Sequence, residues 1–504
     1  MFPVSPPAYS TSGAAAQFSR RRYAIAQTGI SPAIKLRVMK SAREVESSWS
    51  SGLPQEYTLE GLIAGAFRAY GKFNRTLCMS LKAPLAPAER LLSLPGYENK
   101  ILWSPSPDDE HSGVGAAYVL AATGESRFLQ IRDAATRLFQ ELAVVGLDGD
   151  PAPDPRLIGG FAFQPARVDS AIWRGFGDAQ FILPRIAYTR RAQHAWLTLS
   201  ASRHELSSVE GRARIAREAG EALRALRRED SATPEVSELV EIDEAEEIWS
   251  ALVTGIRGEI AAGRLEKAVA ARCIVLRGAR LPPPARVLQR LRREGRDCTR
   301  FALSVGNRTF LGASPERIVK RSGLRVWTEA LAGSVQGDDP AHGESLFLSQ
   351  KNLVEHAIVA REIRTLLAPL YESLSVDGPA LHRLRHVLHL RTRFEGILRE
   401  PQHVLDLVAR LHPTSAVGGA PRAAALAWLA GNELTERGLY AGPFGAFDRC
   451  GNGEFVVAIR SGLLAANEAH LFAGAGIVEG SDVESELCET RWKLRSLMAA
   501  IGIA

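Results

Sequence analysis

The sequence predicts an α+β protein whose large antiparallel β-sheets pack as a sandwich with helices on the outside. Short apolar runs bounded by Gly, Pro or Asn read as strands and recur along the chain. They do not alternate strictly with helices, as a parallel βαβ fold requires. The composition, 46% hydrophobic and 23% charged over 504 residues, is that of an ordinary folded protein able to bury a large core. At roughly 150 residues per domain the length suggests about three domains, but one large sheet-rich domain is equally compatible. We expect a single domain over 44–504, with an N-terminal half (44–235) and a second half (236–504), preceded by a tail.

The tail, residues 1–43, is rich in Ser, Ala, Pro and Arg and contains no acidic residue. It carries Arg20, Arg21, Arg22, Lys35, Arg37, Lys40 and Arg43 before the first acid, Glu44. A transit peptide has this kind of composition, but no convincing amphipathic helix runs through it, so a flexible basic extension is the preferred reading. The formal charge is +6, and removing those seven positive charges leaves the rest of the chain near −1. A domain so close to neutrality has no electrostatic footprint for a phosphate backbone, so no nucleic-acid partner is expected. No long run of apolar residues lacks charges, which argues against a membrane helix. Cys78, Cys273, Cys298, Cys450 and Cys488 are odd in number and contain no C-x-x-C pair. That fits a reducing cytoplasm better than a disulfide framework or a zinc site.

Residues 129–145 carry apolar side chains at helical spacing. Leu157-Ile-Gly-Gly-Phe-Ala-Phe, Phe181-Ile-Leu-Pro-Arg-Ile-Ala-Tyr and Ala195-Trp-Leu-Thr-Leu-Ser read as strands, and 209–230 as a charged helix followed by a Ser-Ala-Thr-Pro-Glu linker at 231–235. A helix is expected over 249–262 with Gly263 as its C-cap, then a strand over 268–276. Residues 301–305 and 309–312 form a hairpin about Gly306-Asn307, and 352–367 is an amphipathic helix. Two strands are expected within 440–464 around an Asp448-Arg-Cys-Gly-Asn-Gly turn, then a strand over 470–477 and a closing helix over 483–501.

Some residues on these elements could carry chemistry. Glu486 and Glu489 lie three apart on the closing helix and share a face, while Glu355 lies on the earlier one beside His356. Three carboxylates on two helices suit Mg²⁺, although Glu residues at helical spacing also coat solvated faces. Lys267 stands where a helix-to-strand connection enters an apolar strand: a general base if desolvated, or a snorkelling side chain. Ser314-Pro-Glu316-Arg puts a carboxylate on a tight turn, either as an acid or as a turn residue. Gly418-Gly419 and Gly474-Ala-Gly476 allow close backbone approach but are not nucleotide signatures.

Taken in order, the segments resemble the chorismate-utilising enzyme family. The matching blocks are Leu265-Glu-Lys-Ala-Val-Ala-Ala-Arg272, Phe310-Leu-Gly-Ala-Ser-Pro-Glu-Arg317, Thr328-Glu-Ala-Leu-Ala-Gly-Ser334 and Lys351-Asn-Leu-Val-Glu-His356. They continue with Leu411-His-Pro-Thr-Ser-Ala-Val-Gly-Gly-Ala-Pro421, Arg437-Gly-Leu-Tyr-Ala-Gly-Pro-Phe-Gly445, Gly453-Glu-Phe-Val-Val-Ala-Ile-Arg-Ser461 and Ala473-Gly-Ala-Gly-Ile-Val-Glu-Gly-Ser-Asp482. The resemblance implies the chorismate-binding fold, with 236–504 as the catalytic half. Within the family the likeness is to isochorismate synthases. Aminodeoxychorismate synthases carry a nucleophilic lysine where this chain has Ala332, and no glutamine amidotransferase region or subunit is expected, so water remains as nucleophile. A salicylate synthase is the alternative, disfavoured by Ala416 where such relatives carry Thr.

The implied reaction is Mg²⁺-dependent isomerisation of chorismate to isochorismate, feeding menaquinone or siderophore and salicylate biosynthesis. By likeness Lys267 is the base that activates water and Glu316 the acid that protonates the leaving hydroxyl. Glu355 and Glu489, with Glu486 nearby, would hold the metal. Tyr440, Arg460, Lys493, Gly474 and Gly476 match positions that bind the substrate carboxylates, and His389 and His412 match positions lining the pocket. Many relatives carry an acid in place of Asn352, which puts the strength of Mg²⁺ binding in question. The chain is expected to act as a monomer or weak homodimer.

Overall fold

A computed structural model describes residues 58–70, 75–149, 151–165, 171–228, 239–243 (backbone), 246–278, 281–294, 298–337, 342–384, 387–465 and 467–503. The tail 1–43 and the linker 231–235 lie outside the described residues. Among the described residues, twenty strands join one hydrogen-bonded network, antiparallel apart from the pair Thr76–Lys82 and Leu142–Gly146. This is the expected α+β architecture.

The long strand Ala179–Arg191 organises the network. One edge pairs with Asp109–Ala122; the other pairs with His194–Ser202 near one end and Leu157–Phe161 near the other. Two arms grow from it. The first runs from Leu157–Phe161 through Pro443–Phe447, Gly453–Val457, Arg317–Ser322, Arg325–Gln336 and Val387–Leu398 to Tyr371–Arg383. The second runs from Asp109–Ala122 through Lys100–Ser106, Thr299–Val305, Arg308–Ser314, Ser461–Ala465 and Glu468–Ile477 to Lys267–Gly278.

Side-chain alternation along the second arm shows how the arms pack. Phe301, Phe310, Leu463 and Phe472 join a core with Phe444, Phe447, Phe455 and Phe394 of the first arm. Their neighbours Ala302, Leu311, Leu464 and Leu471 point the other way, into a second core with Leu288 and Leu291 of the helix Pro284–Glu294 and Leu494 and Leu497 of Val483–Ile501. Phe444 is fully buried and stacks on Phe301 with ring centroids 4.9 Å apart, joining the arms. Phe444→Ala is therefore expected to cost about 3–5 kcal/mol of unfolding free energy, measured by denaturant titration.

The chain passes from one arm to the other at two corners that bear on the site. Ser314-Pro315-Glu316 links Arg308–Ser314 to Arg317–Ser322. Ala458-Ile459-Arg460 links Gly453–Val457 to Ser461–Ala465. Arg460 has a positive φ of 53°, an uncommon conformation for a side-chain-bearing residue.

Two expectations need correction. The helix expected over 129–145 spans Arg127–Gln140. Residues Leu142–Gly146, with the β-branched pair Val144-Val145, instead form the strand beside Thr76–Lys82. The two strands expected within 440–464 are three, because the corner at Arg460 ends one and starts another.

Candidate active site

Lys267 opens the strand Lys267–Gly278, whose last partner on one side is Glu468–Ile477. It is fully buried, and its Nζ lies 3.0 Å from Glu355 Oε1, an ion pair whose angles fall short of an aligned hydrogen bond. Glu355 sits on the helix Gln350–Leu367, which begins where Ser349 Oγ accepts from the Asn352 amide at 3.3 Å. Gly476 makes this approach possible, since a Cβ there would stand 2.2 Å from Glu355 Oε1 and 2.8 Å from Lys267 Cε. Gly474 likewise leaves room for Tyr440, whose hydroxyl would lie 3.1 Å from an added Cβ.

Glu316, on the first corner, faces the same cavity as Glu355, His389, Tyr440, Arg460, Gly474, Gly476 and Lys493. The turn that carries it is tied down: its amide donates to Ser314 Oγ at 3.2 Å, and its carbonyl accepts from the Val457 amide at 3.0 Å. Burial, reinforced by the charge of Glu329, outweighs Lys267, Lys493 and Arg460 and pushes the Glu316 carboxyl up to about 8. Burial would raise Glu355 too, but Lys267, Lys351 and Lys493 hold it below the usual carboxylate range. One cavity thus holds a carboxyl that keeps its proton at neutral pH and a carboxylate that does not. Environments that separate two carboxyls in this way mark an acid–base site.

Arg460, on the second corner, donates from Nη2 to His389 Nε2 at 3.1 Å, so that nitrogen carries no proton. His389 Nδ1 therefore donates to Ser334 Oγ at 3.0 Å. Burial, then Arg460, Lys493 and His382, hold His389 well below its usual value, consistent with this neutral form. A buried guanidinium fixed along one edge is suited to grip a carboxylate with the other.

The remaining acids lie on the closing helix Val483–Ile501, which Asp482 caps by accepting from the Ser485 amide at 2.9 Å. Glu486 is 0% and Glu489 8% exposed, so neither coats a solvated face. Glu489 pairs with Lys493 at 2.6 Å, and Lys493 also donates to the Gly474 carbonyl at 2.8 Å. Glu486 pairs with Lys351, yet its Oε2 is buried without a hydrogen-bond partner. Burial and neighbouring Glu489, opposed by Lys351, push Glu486 up to about 7.

As these side chains stand, no group of three or more His, Cys, Asp or Glu among the described residues is arranged to hold a metal ion. The donor set nevertheless suits a hard divalent cation, because it combines buried carboxylates, one orphaned oxygen and carboxylate–carboxylate repulsion that positive charge would relieve.

The structure brings Lys267, Glu316, Glu355, His389, Tyr440, Arg460, Gly474, Gly476 and Lys493 together in and around one cavity. His412 is not there. Its Nε2 donates to the Phe163 carbonyl at 2.9 Å and its ring packs edge-on against Phe163, so it braces the N-terminal half and does not line the cavity. Lys351, Ser334 and Glu329 were not singled out from sequence, although all three lie within quoted blocks. Lys351, four residues before Glu355 on one helix face, was the most discoverable of them. No helix among the described residues is long and apolar enough to cross a membrane.

Comparison with known proteins finds relatives along most of the chain. The isochorismate synthase MenF of Bacillus subtilis is 35% identical over 361 residues, covering 70% of this chain and 75% of the relative. The salicylate biosynthesis isochorismate synthase of Pseudomonas aeruginosa is 35% identical over 433 residues, covering 83% and 89%. The solved structure of MenF, the menaquinone-specific isochorismate synthase of Escherichia coli, superposes with a TM-score of 0.70 at 27% identity, covering 86% of this chain and 99% of that one. With the chorismate binding enzyme family matched along residues 69–502, the chain belongs to that family.

Proposed function

We propose that this chain is an isochorismate synthase, an isomerase that moves the hydroxyl of chorismate from C4 to C2. Water adds at C2, the ring double bond shifts, and the C4 hydroxyl departs as water, so the atoms balance without a redox partner. The observation that carries this reading is Glu316, a carboxyl held protonated up to about pH 8 in the cavity it shares with the Lys267–Glu355 pair. Likeness to isochorismate synthases over most of the chain supports it.

In this reading Lys267, a base only once it has given up its own proton, takes one from the attacking water at Nζ, and Glu316 gives its proton to the leaving oxygen. Arg460, steadied by His389, grips one substrate carboxylate, with Tyr440 and the Gly474 and Gly476 backbone shaping the wall beside it. Ala332 lies on the cavity wall with no amine to attack the ring, which leaves water as the nucleophile and makes an amidotransferase subunit unnecessary. Glu355, Glu489 and Glu486 would hold Mg²⁺. When bound, the ion supplies positive charge that orients a substrate carboxylate and competes with the lysines for these acids. The enzyme acts as a monomer or weak homodimer, and its product feeds menaquinone or siderophore and salicylate synthesis.

Incubation with chorismate and Mg²⁺, followed by chromatography, tests the proposal: isochorismate is expected, while salicylate with pyruvate as the first products would overturn it. The pH profile is a second test. Glu316 works only with its proton on, so kcat/KM is expected to fall as pH rises through about 8. A plateau extending well above pH 9 would remove Glu316 from the acid role.

A further inference from the structure

We propose that Glu329 is a positioning residue for the acid, pinning the turn that carries Glu316 and facing it with a negative charge that keeps its proton in place. The inference rests on the reading of Glu316 as the acid.

Glu329 lies in the strand Arg325–Gln336, paired in register with Arg393, and is 8% exposed. Its Oε1 accepts from the Arg317 amide at 3.0 Å, the peptide immediately after Glu316. The next residue towards the N-terminus, Thr328, donates from Oγ1 to the Ile318 carbonyl at 2.5 Å, so two consecutive side chains clamp the segment leaving the corner. A structural clamp does not require charge, because an amide or hydroxyl oxygen also accepts from a backbone N–H, though more weakly than a carboxylate. Here a buried carboxylate does so, at the amide one residue after a group that must stay protonated.

The charges around Glu316 make the sign matter. Lys267 on the strand Lys267–Gly278, Lys493 on the helix Val483–Ile501 and Arg460 on the second corner all favour its ionised form. Tyr440 also lies within electrostatic reach. Glu329 opposes the three cations. Glu329 itself faces two cations: Arg391, 4.0 Å away and too far for a tight hydrogen-bonded pair, and Arg317, whose Nε is paired with Glu454 at 2.7 Å.

Glu329→Gln separates the two roles, since the amide oxygen can still accept from Arg317 N–H while the charge is gone. The alkaline limb of kcat/KM is expected to move about one unit toward acid. Arg391→Gln, which removes the nearby cation and keeps Glu329, is expected to move the limb the other way, and it keeps the test alive should Glu329→Gln fold poorly. An unmoved limb with a uniformly lower rate would overturn the proposal by leaving Glu329 a purely structural clamp. If wild type has no alkaline limb, or Glu316→Gln still turns over, the failure lies with the acid assignment and not with Glu329.

Discussion

Glu316→Gln and Lys267→Ala are each expected to lower kcat for isochorismate formation by about 10²–10⁴-fold, the range typical of losing one positioned proton-transfer group. Glu316→Gln is the cleaner of the two. Below about pH 8 the native carboxyl is protonated, so glutamine replaces a neutral group with a neutral group of nearly the same shape. Its stability is therefore expected to match wild type below about pH 4.5, where the carboxyl is protonated both folded and unfolded, and to exceed it at neutral pH. The pH dependence carries a further sign. A carboxyl whose folded value is raised from 4.5 to about 8 takes up a proton on folding, so the native state loses stability as pH rises through that window. Glu316→Gln should remove that loss, giving a flatter Tm against pH between about 4.5 and 8. Lys267→Ala differs in kind, because it strands the buried Glu355 carboxylate and should lower stability as well as rate. Near wild-type kcat in either variant would remove that residue from proton transfer.

Much of the site was legible because its chemistry lies in short local blocks whose element type is also locally determined. Lys267 opens an apolar strand, Glu316 follows a strand ending in Gly-Ala-Ser-Pro, and Glu486 and Glu489 share a helix face by spacing alone. Other features depend on long-range sheet pairing, which leaves no local trace. Glu329 reaches the Arg317 amide because Arg325–Gln336 folds back beside Arg317–Ser322. By contrast, the strand Val387–Leu398, held between Arg325–Gln336 and Tyr371–Arg383, did carry a local signal, since Arg391, Arg393 and Glu395 alternate with the buried Thr392 and Phe394. His412 shows the converse limit. A matching motif position fixes the residue type, but the direction of the ring is set by the Phe163 carbonyl, 249 positions away in sequence.

Chelation is expected to abolish activity, and Glu489→Gln or Glu355→Gln to weaken Mg²⁺ binding at least as much as the ~10–100-fold that losing even an outer partner of a metal site costs. Calorimetric titration of Mg²⁺ into the chain without substrate reads this independently of turnover. The argument is one of charge. Glu355, Glu486 and Glu489 are buried and pair with Lys267, Lys351 and Lys493 respectively, so acids and lysines are matched one to one. A divalent cation entering alone upsets that balance, and so does a substrate with two carboxylates. Together they preserve it, and burial makes an unbalanced charge costly. Mg²⁺ and a dicarboxylate of chorismate's shape should therefore each raise the affinity for the other by the same factor, as reciprocity of binding requires. Asn352→Asp adds one negative charge on the helix that carries Glu355, and is expected to tighten Mg²⁺ binding in the absence of substrate. Full activity in excess EDTA, or Mg²⁺ affinity indifferent to Glu355, Glu489 and bound dicarboxylate alike, would take the metal out of this site.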